Sequence, residues 1–204
     1  MSRVIYVETG GVKLDFLGGA FATGSATSHD FTGRNLGPNS GILVVVAGAF
    51  GSVLGVVNGV LVNGVAATEV VRTADATNGT AIFQIASQNG TGTVTLQASN
   101  GSLHWAMGLY RLRALRSSTA YDSERSSTSS ISFDVQKLGA AILGAVTDTN
   151  PSSWPYAADY VQSNTPGGFY FSCASQKYET AQTPLSITNG ATSSLYRQVG
   201  ASWR

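Results

Sequence analysis

The sequence predicts an all-β fold: a two-sheet antiparallel β-sandwich, jelly-roll-like, with a short N-terminal arm. Three observations lead there. Six of the ten asparagines stand directly before glycine, at Asn58, Asn63, Asn78, Asn89, Asn100 and Asn189. Asn-Gly is the strongest short-range hairpin signal, because a type I′ turn needs φ > 0 at both central residues. The stretches between these pairs are short and rich in valine, threonine and isoleucine, which suit strands. Several of them alternate apolar and polar residues with a period of two, as a strand with one buried face does.

Taken in order, residues 1–24 read as an arm or attachment segment, with a short strand at 4–7 followed by Gly10-Gly11 and Gly18-Gly19. Residues 25–204 read as one sandwich domain. Residues 25–31 suit a polar strand, and 33–41, carrying Pro38 and Asn39, a loop. Residues 42–50 are apolar throughout, as expected of a central strand covered on both faces. Residues 60–62 and 65–72 flank Asn63-Gly64, and 81–87 and 93–98 flank Asn89-Gly90. In 93–98, Val94, Leu96 and Ala98 share a face opposite Thr93, Thr95 and Gln97. In 103–112, Leu103, Trp105, Met107 and Leu109 share one face, and His104, Ala106, Gly108 and Tyr110 the other.

The serine-rich residues 117–130 read as a long connection between the two halves of the sandwich. Ile131, Phe133 and Val135 then alternate with Ser132, Asp134 and Gln136. Residues 138–146 form a second apolar run, and Gly139 and Gly144 favour strand over helix there. Residues 150–160 suit a loop, and 168–175 and 195–203 close the chain as strands. About ten strands at short spacing indicate a sandwich or barrel. No strict repeat points to a propeller or solenoid.

Composition narrows the function. The hydrophobic fraction of 43% supports a core, whereas only 11% of residues are charged, against about 25% in ordinary globular proteins. The formal net charge is +1. Such a surface suits packing against copies of itself or contact with sugars, and no nucleic-acid partner is expected. One basic cluster, Arg111, Arg113 and Arg116, reads as a solvated strand end or as a docking patch for an acidic partner. Cys173 is the sole cysteine, so neither an intramolecular disulfide nor a thiolate zinc site is expected. It suits the role of a small buried hydrophobe. The N-terminus shows no apolar signal region, so synthesis in a reducing cytoplasm is expected. Residues 41–68 carry no charge, and Gly51, Gly55 and Gly59 form a small-residue pattern. Valine dominance, two Asn-Gly breaks and the lack of a basic flank favour strands, and no membrane insertion is expected.

The catalytic inventory is thin. His29 and His104 are the only histidines, and no Gly-x-Ser-x-Gly elbow is present. Asp122 with Glu124, and Asp148 with Asp159, are the nearest approaches to a glycosidase carboxylate pair. Neither a phosphate loop nor a dedicated calcium loop is present. No catalytic residue, metal or cofactor is expected. The aromatic loop offers a contact surface instead: Trp154, Tyr156 and Tyr160 are candidate stacking faces for sugar rings or anchors for a partner, with Asp159 to take hydroxyls. Alternatively, the three aromatics plug one end of the sandwich.

Residues 60–71, Val-Leu-Val-Asn-Gly-Val-Ala-Ala-Thr-Glu-Val-Val, resemble a pattern in virion surface proteins of tailed bacteriophages. There too an apolar strand follows, here residues 80–86, then 92–96, the strand ending Met107-Gly-Leu-Tyr-Arg-Leu, and a terminal Ala-Ser-Trp at 201–203. The resemblance spans about residues 25–203 in order of elements and brings no catalytic residues. It implies a tail-fibre, receptor-binding or head-decoration module, made in the host bacterial cytoplasm and located on the virion. Its implied partners are other virion proteins and copies of itself, as a trimer, with a host surface glycan as a further one. No coiled-coil or collagen-like stalk accompanies it, so a small docked module is expected rather than a long fibre. The expected attachment elements are the N-terminal arm and the sheet edges. The alternatives are a carbohydrate-binding host-adhesion module and a glycan depolymerase.

Overall fold

With no segment of helical period, the described residues build strands and no helix. A computed structural model describes residues 10–50, 56–75, 78–162 and 168–204. They form β1 (Lys13–Gly37), β2 (Ile42–Phe50), β3 (Val57–Val62), β4 (Val65–Ala66), β5 (Thr68–Ala74), β6 (Gly79–Ala86) and β7 (Gly90–Arg113). The second half adds β8 (Asp122–Ser126), β9 (Ser130–Val135), β10 (Ala140–Thr147), β11 (Ala158–Gln162), β12 (Tyr170–Lys177), β13 (Gln182–Thr188) and β14 (Tyr196–Trp203). Among the described residues no helix is long and apolar enough to cross a membrane.

Two long strands organise the first sheet. β1 and β7, of 25 and 24 residues, pair antiparallel from Lys13↔Arg113 to Gly37↔Gly90. The other edge of β7 is divided between β2, along 104–112, and β3, along 94–98. The β1–β7 register shifts between Thr23↔His104 and Ser28↔Gln97, and such irregularities bend a strand pair. The sheet therefore has two wings, β5-β6-β2-β7-β1 and β1-β7-β3-β4, which share β1 and β7. The wings face each other, so that β3 touches β2 and β6. A five-stranded sheet of order β11-β12-β10-β14-β8 packs on the outer face of the first wing, and the pair β13-β9 covers its far side.

Three apolar layers result. Leu43, Val45 and Phe83 meet Val60, Val62 and Leu96 between the wings. Val44, Val46 and Ile82 meet Ile142, Val146 and Phe171 between the two large sheets. Leu143, Ala145 and Ala174 meet Ile131, Phe133 and Leu185 beneath β13-β9. β2 and β10 each separate two of these layers, and every residue of both is buried. That is why their sequences are apolar without alternation.

The central layer is interlocked through glycines. A Cβ added to Gly144 would lie 2.3 Å from Val46 Cγ1, and one added to Gly48 would lie 2.6 Å from the Phe171 ring. One added to Gly108 would lie 2.3 Å from Cys173 Sγ. Each sheet thus receives side chains of the other where it carries none itself. Trp203 Nε1 donates to Gln84 Oε1 at 3.0 Å across the same layer, and Arg197 pairs with Asp75 at 2.5 Å beside it.

Several expectations are corrected. The molecule has more layers than two sheets, because the β1–β7 ribbon doubles over and β13-β9 adds a cover. The boundary expected between residues 24 and 25 falls inside β1: residues 13–23 pair with 104–113 and are part of the sheet, not an arm. The strand expected at 4–7 lies outside the described residues, as do Gly51 and Gly55. The expected loop at 33–41 shrinks, since β1 continues to Gly37. Asn63-Gly64 makes the expected turn, with φ of 50° and 80°. Asn58-Gly59 does not turn; it lies within β3 at a register shift between Val57 and Gly59. Asn100-Gly101 lies within β7, so the two strands expected there are one. The connection at 117–130 contains β8, which adds an edge to the five-stranded sheet.

Replacing Gly144 by alanine tests the interlock. Alanine elsewhere in a strand gains roughly 0.5–1 kcal/mol over glycine. Here the variant is expected to lose about 1–3 kcal/mol, because its methyl overpacks against Val46. Urea unfolding reads the difference, and an unchanged or raised midpoint refutes the close approach.

Candidate functional site

The aromatic loop leads into β11, which the five-stranded sheet places beside β1. Trp154 is 8% exposed and packs in the layer beneath β13-β9, where Tyr156 joins it. Tyr160 turns to the central layer instead: a Cβ on Gly19 would lie 2.3 Å from its ring, and Phe171 is 6.3 Å away. The three aromatics therefore share no exposed face. They close two different layers, which corrects the stacking-platform expectation in favour of the plug. Asp159 does not face ligand hydroxyls. It accepts from Tyr110 at 2.9 Å and from Ser175 at 2.6 Å, tying β11 to β7 and β12. Burial raises the Tyr110 pKa well above its ordinary value, and the neighbouring Cys173 and Asp159 add to it. Burial likewise pushes the Cys173 thiol up to about 12, so the thiolate needed for nucleophilic attack is scarce at neutral pH.

The other acids and the histidines are also engaged in packing. His104 is 5% exposed and forms a ring cluster with Phe21, stacked at 5.9 Å, and Phe50, tilted at 5.5 Å. His29 meets Phe31 edge-on at 4.7 Å, and Asp30 accepts from Thr95. Asp122 accepts from the backbone of Ser123 and Asp134. Asp148 gathers the chain before β14, accepting from the hydroxyls of Ser193, Ser194 and Thr149 and from the N–H groups of Ser194 and Leu195. Burial works to raise its pKa, but the Ser193, Ser194, Thr149 and Leu195 bonds prevail and hold it well below the usual carboxylate range. Asp148 and Asp159 thus hold separate sets of partners. Among the described residues, no three His, Cys, Asp or Glu side chains converge as metal ligands.

The arginine cluster divides. Arg111 is only 2% exposed, and its guanidinium lies against Gly37, whose added Cβ would meet Nη1 at 1.8 Å. Its Nε and Nη2 have no hydrogen-bond partner. Burial lowers its pKa, Arg113 lowers it further, and Asp15 opposes both. Arg113 pairs with Asp15 at 2.6 Å. Only Arg116 is exposed. The expected three-residue patch is therefore replaced by a different grouping around Arg116. Beyond β7, Ala114 at φ 55° turns the chain into a cleft of about 450 Å³ lined by Lys13, Arg116, Lys137 and Arg204. A second cleft of about 240 Å³ shares Gly11, Val12, Lys13 and Leu138 with it and adds Lys177, Tyr178 and Glu179. Lys13, Lys137 and Lys177 are all the lysines of the chain. They lie far apart in sequence, so only the sheet topology brings them together.

Asp148 gives a pH test. In the unfolded chain a carboxyl titrates near about 3.9. A folded pKa held below that contributes stability that is whole above about pH 4 and lost as pH falls toward the folded value. Asp148→Asn is expected to unfold at a lower temperature than the wild type at pH 7. The gap should narrow as pH falls from about 5 to 2, read by thermal unfolding across pH. A gap independent of pH would refute the carboxylate's role. No protein-family model matches the sequence, and no curated protein matches it.

Proposed function

We propose that the chain is a non-enzymatic structural module of a larger particle, displayed on a tailed-bacteriophage virion as a head-decoration or tail component. The observation that carries an assembly role is the open edge of β1. Among the described residues β1 pairs with β7 alone, so its other edge has no ladder partner, and residues 23–28 there are exposed. Open edges recruit further strands, and their main-chain groups supply the affinity. Thr23, Ser25 and Thr27 on this strand are exposed and uncharged, and a charge there is the usual block to edge pairing. Asp122, Asp148 and Asp159 are tied into the fold, which also favours a structural role.

The virion setting draws on the order of elements from residue 60 to the terminal Ala-Ser-Trp. The jelly-roll-like part of this reading is the wing β5-β6-β2-β7-β1 facing the five-stranded sheet. Docking is assigned to β1 and the sheet edges rather than to a separate arm. A glycan-binding role through Trp154, Tyr156 and Tyr160 is not favoured, because those rings close the layers. A depolymerase built on Asp148 and Asp159 is not favoured either, because each holds structural donors.

Immunogold labelling of intact source particles, with antibody against the folded chain, tests the setting. Label on the head or tail supports the reading, and unlabelled particles overturn it. Light scattering tests the edge. The wild type is expected to form a homo-oligomer, with a trimer the expected state. Thr23→Lys with Thr27→Lys should be monomeric, with stability changed by no more than about 0.5 kcal/mol, as for ordinary surface substitutions. An unchanged oligomer would move the contact away from β1.

A further inference from the structure

We infer that the two adjoining clefts form one groove that docks an acidic, extended peptide segment of a partner protein. The partner's place in an assembly rests on the proposed function; the groove's preference for acidic peptide does not. Five of the chain's twelve cations, Lys13, Arg116, Lys137, Lys177 and Arg204, line the groove, whereas the whole chain carries a net charge of only +1. All five are exposed, and none forms an ion pair among the described residues. Glu179 is the one acid lining it. Elsewhere the half-buried cations Arg72 and Arg113 have carboxylate partners, Glu69 and Asp15. Among the described residues the groove thus gathers five of the eight cations without a carboxylate partner; Arg34, Arg111 and Arg125 are the others.

The shape narrows the ligand. Buried Val12 and half-buried Leu115 and Leu138 supply apolar surface within the cationic rim. The clefts adjoin through the shared residues Gly11, Val12, Lys13 and Leu138, which gives a ligand site larger than a compact ion needs. Lysine ammonium groups are flexible point charges, so they fit successive carboxylates on a strand as readily as a fixed fork would fit one. A peptide with alternating acidic and apolar residues presents carboxylates to the rim and side chains to the floor, since alternate residues of an extended chain face opposite ways.

The backbone of the groove is held in an uncommon conformation. Among the described residues only Asn63, Ala114 and Leu138 are non-glycine with positive φ. Asn63 makes its turn, and the other two line the groove. Left-handed conformations of such residues persist only where the surroundings hold them. Here Gly139 N–H donates to Gln136 O, and Val12 N–H donates to Leu138 O, each at 2.9 Å. These bonds fix Lys137 at the tip of a turn, next to the segment that carries Lys13.

The probe is a fluorescein-labelled peptide of alternating aspartate and leucine, titrated with the full chain and read by anisotropy at low and moderate salt. Saturable binding that weakens with salt is expected. Lys13→Gln, Lys137→Gln and Lys177→Gln together should weaken it at least tenfold. Arg34→Gln, Arg72→Gln and Arg125→Gln together remove the same charge elsewhere and should change it less than twofold. Circular dichroism and unfolding midpoints confirm that both triple variants are folded. Absence of saturable binding, or equal loss in the two variants, overturns the proposal. So does tighter binding of a DNA oligonucleotide or polyphosphate of equal charge. Because the immunogold result does not depend on the groove, failure of the docking proposal and failure of the virion reading are separately visible.

Discussion

Everything in this fold depends on how closely the two large sheets approach at their centre. Gly48 and Gly108 in one sheet and Gly144 in the other leave room for Phe171, Cys173 and Val46 to cross the layer. Protein interiors are packed as densely as organic crystals, so three such positions in neighbouring strands fix the mutual placement of the sheets. The part-buried Trp203–Gln84 bond and the Arg197–Asp75 pair occur where that placement allows them. Large side chains facing one another would force the sheets apart and open voids, whose lining atoms lose their contacts.

The same economy governs the polar groups. The chain has few charges, and many of its acids are consumed as internal ties: Asp148 before β14, Asp159 between three strands, Asp75 with Arg197. Carboxylates that accept several hydrogen bonds stabilise loops that have no regular ladder. Arg111 is the exception. It is buried without a hydrogen-bond partner for two of its guanidinium nitrogens, and a charge in that condition costs free energy. The molecule shows its surroundings hydroxyl-rich strands, a β1 edge without a ladder partner and one cationic groove. These features fit association, both through main-chain pairing and through charge.

Much of the fold was legible in the sequence, and the misses have a common cause. The Asn63-Gly64 turn, the doubly covered β2 and β10, and the alternating faces of residues 94–98 and 131–135 follow from local rules of φ and period. The Asn58-Gly59 and Asn100-Gly101 pairs misled because the same backbone freedom that makes a turn also makes a bulge or lets a long strand bend. Local pattern does not say which of these a glycine serves. The aromatic loop was similarly ambiguous: tryptophan and tyrosine among prolines look alike whether they meet a ligand or plug a layer. Trp154 was decided by where β13-β9 lies, and Tyr160 by Gly19, which stands 141 residues before it.

By itself the sequence determined the strand class, the buried central strands, the poverty of charge and the thin supply of groups for catalysis, because each depends on residue type and spacing alone. The tertiary structure decided the number of layers, the fate of residues 13–24 as half of a long strand, and the dispersal of the arginine cluster. It also brought together the only three lysines, from positions 13, 137 and 177. Those outcomes rest on which strands pair across long separations and on what each glycine leaves room for, and neither is written in any local stretch of the chain.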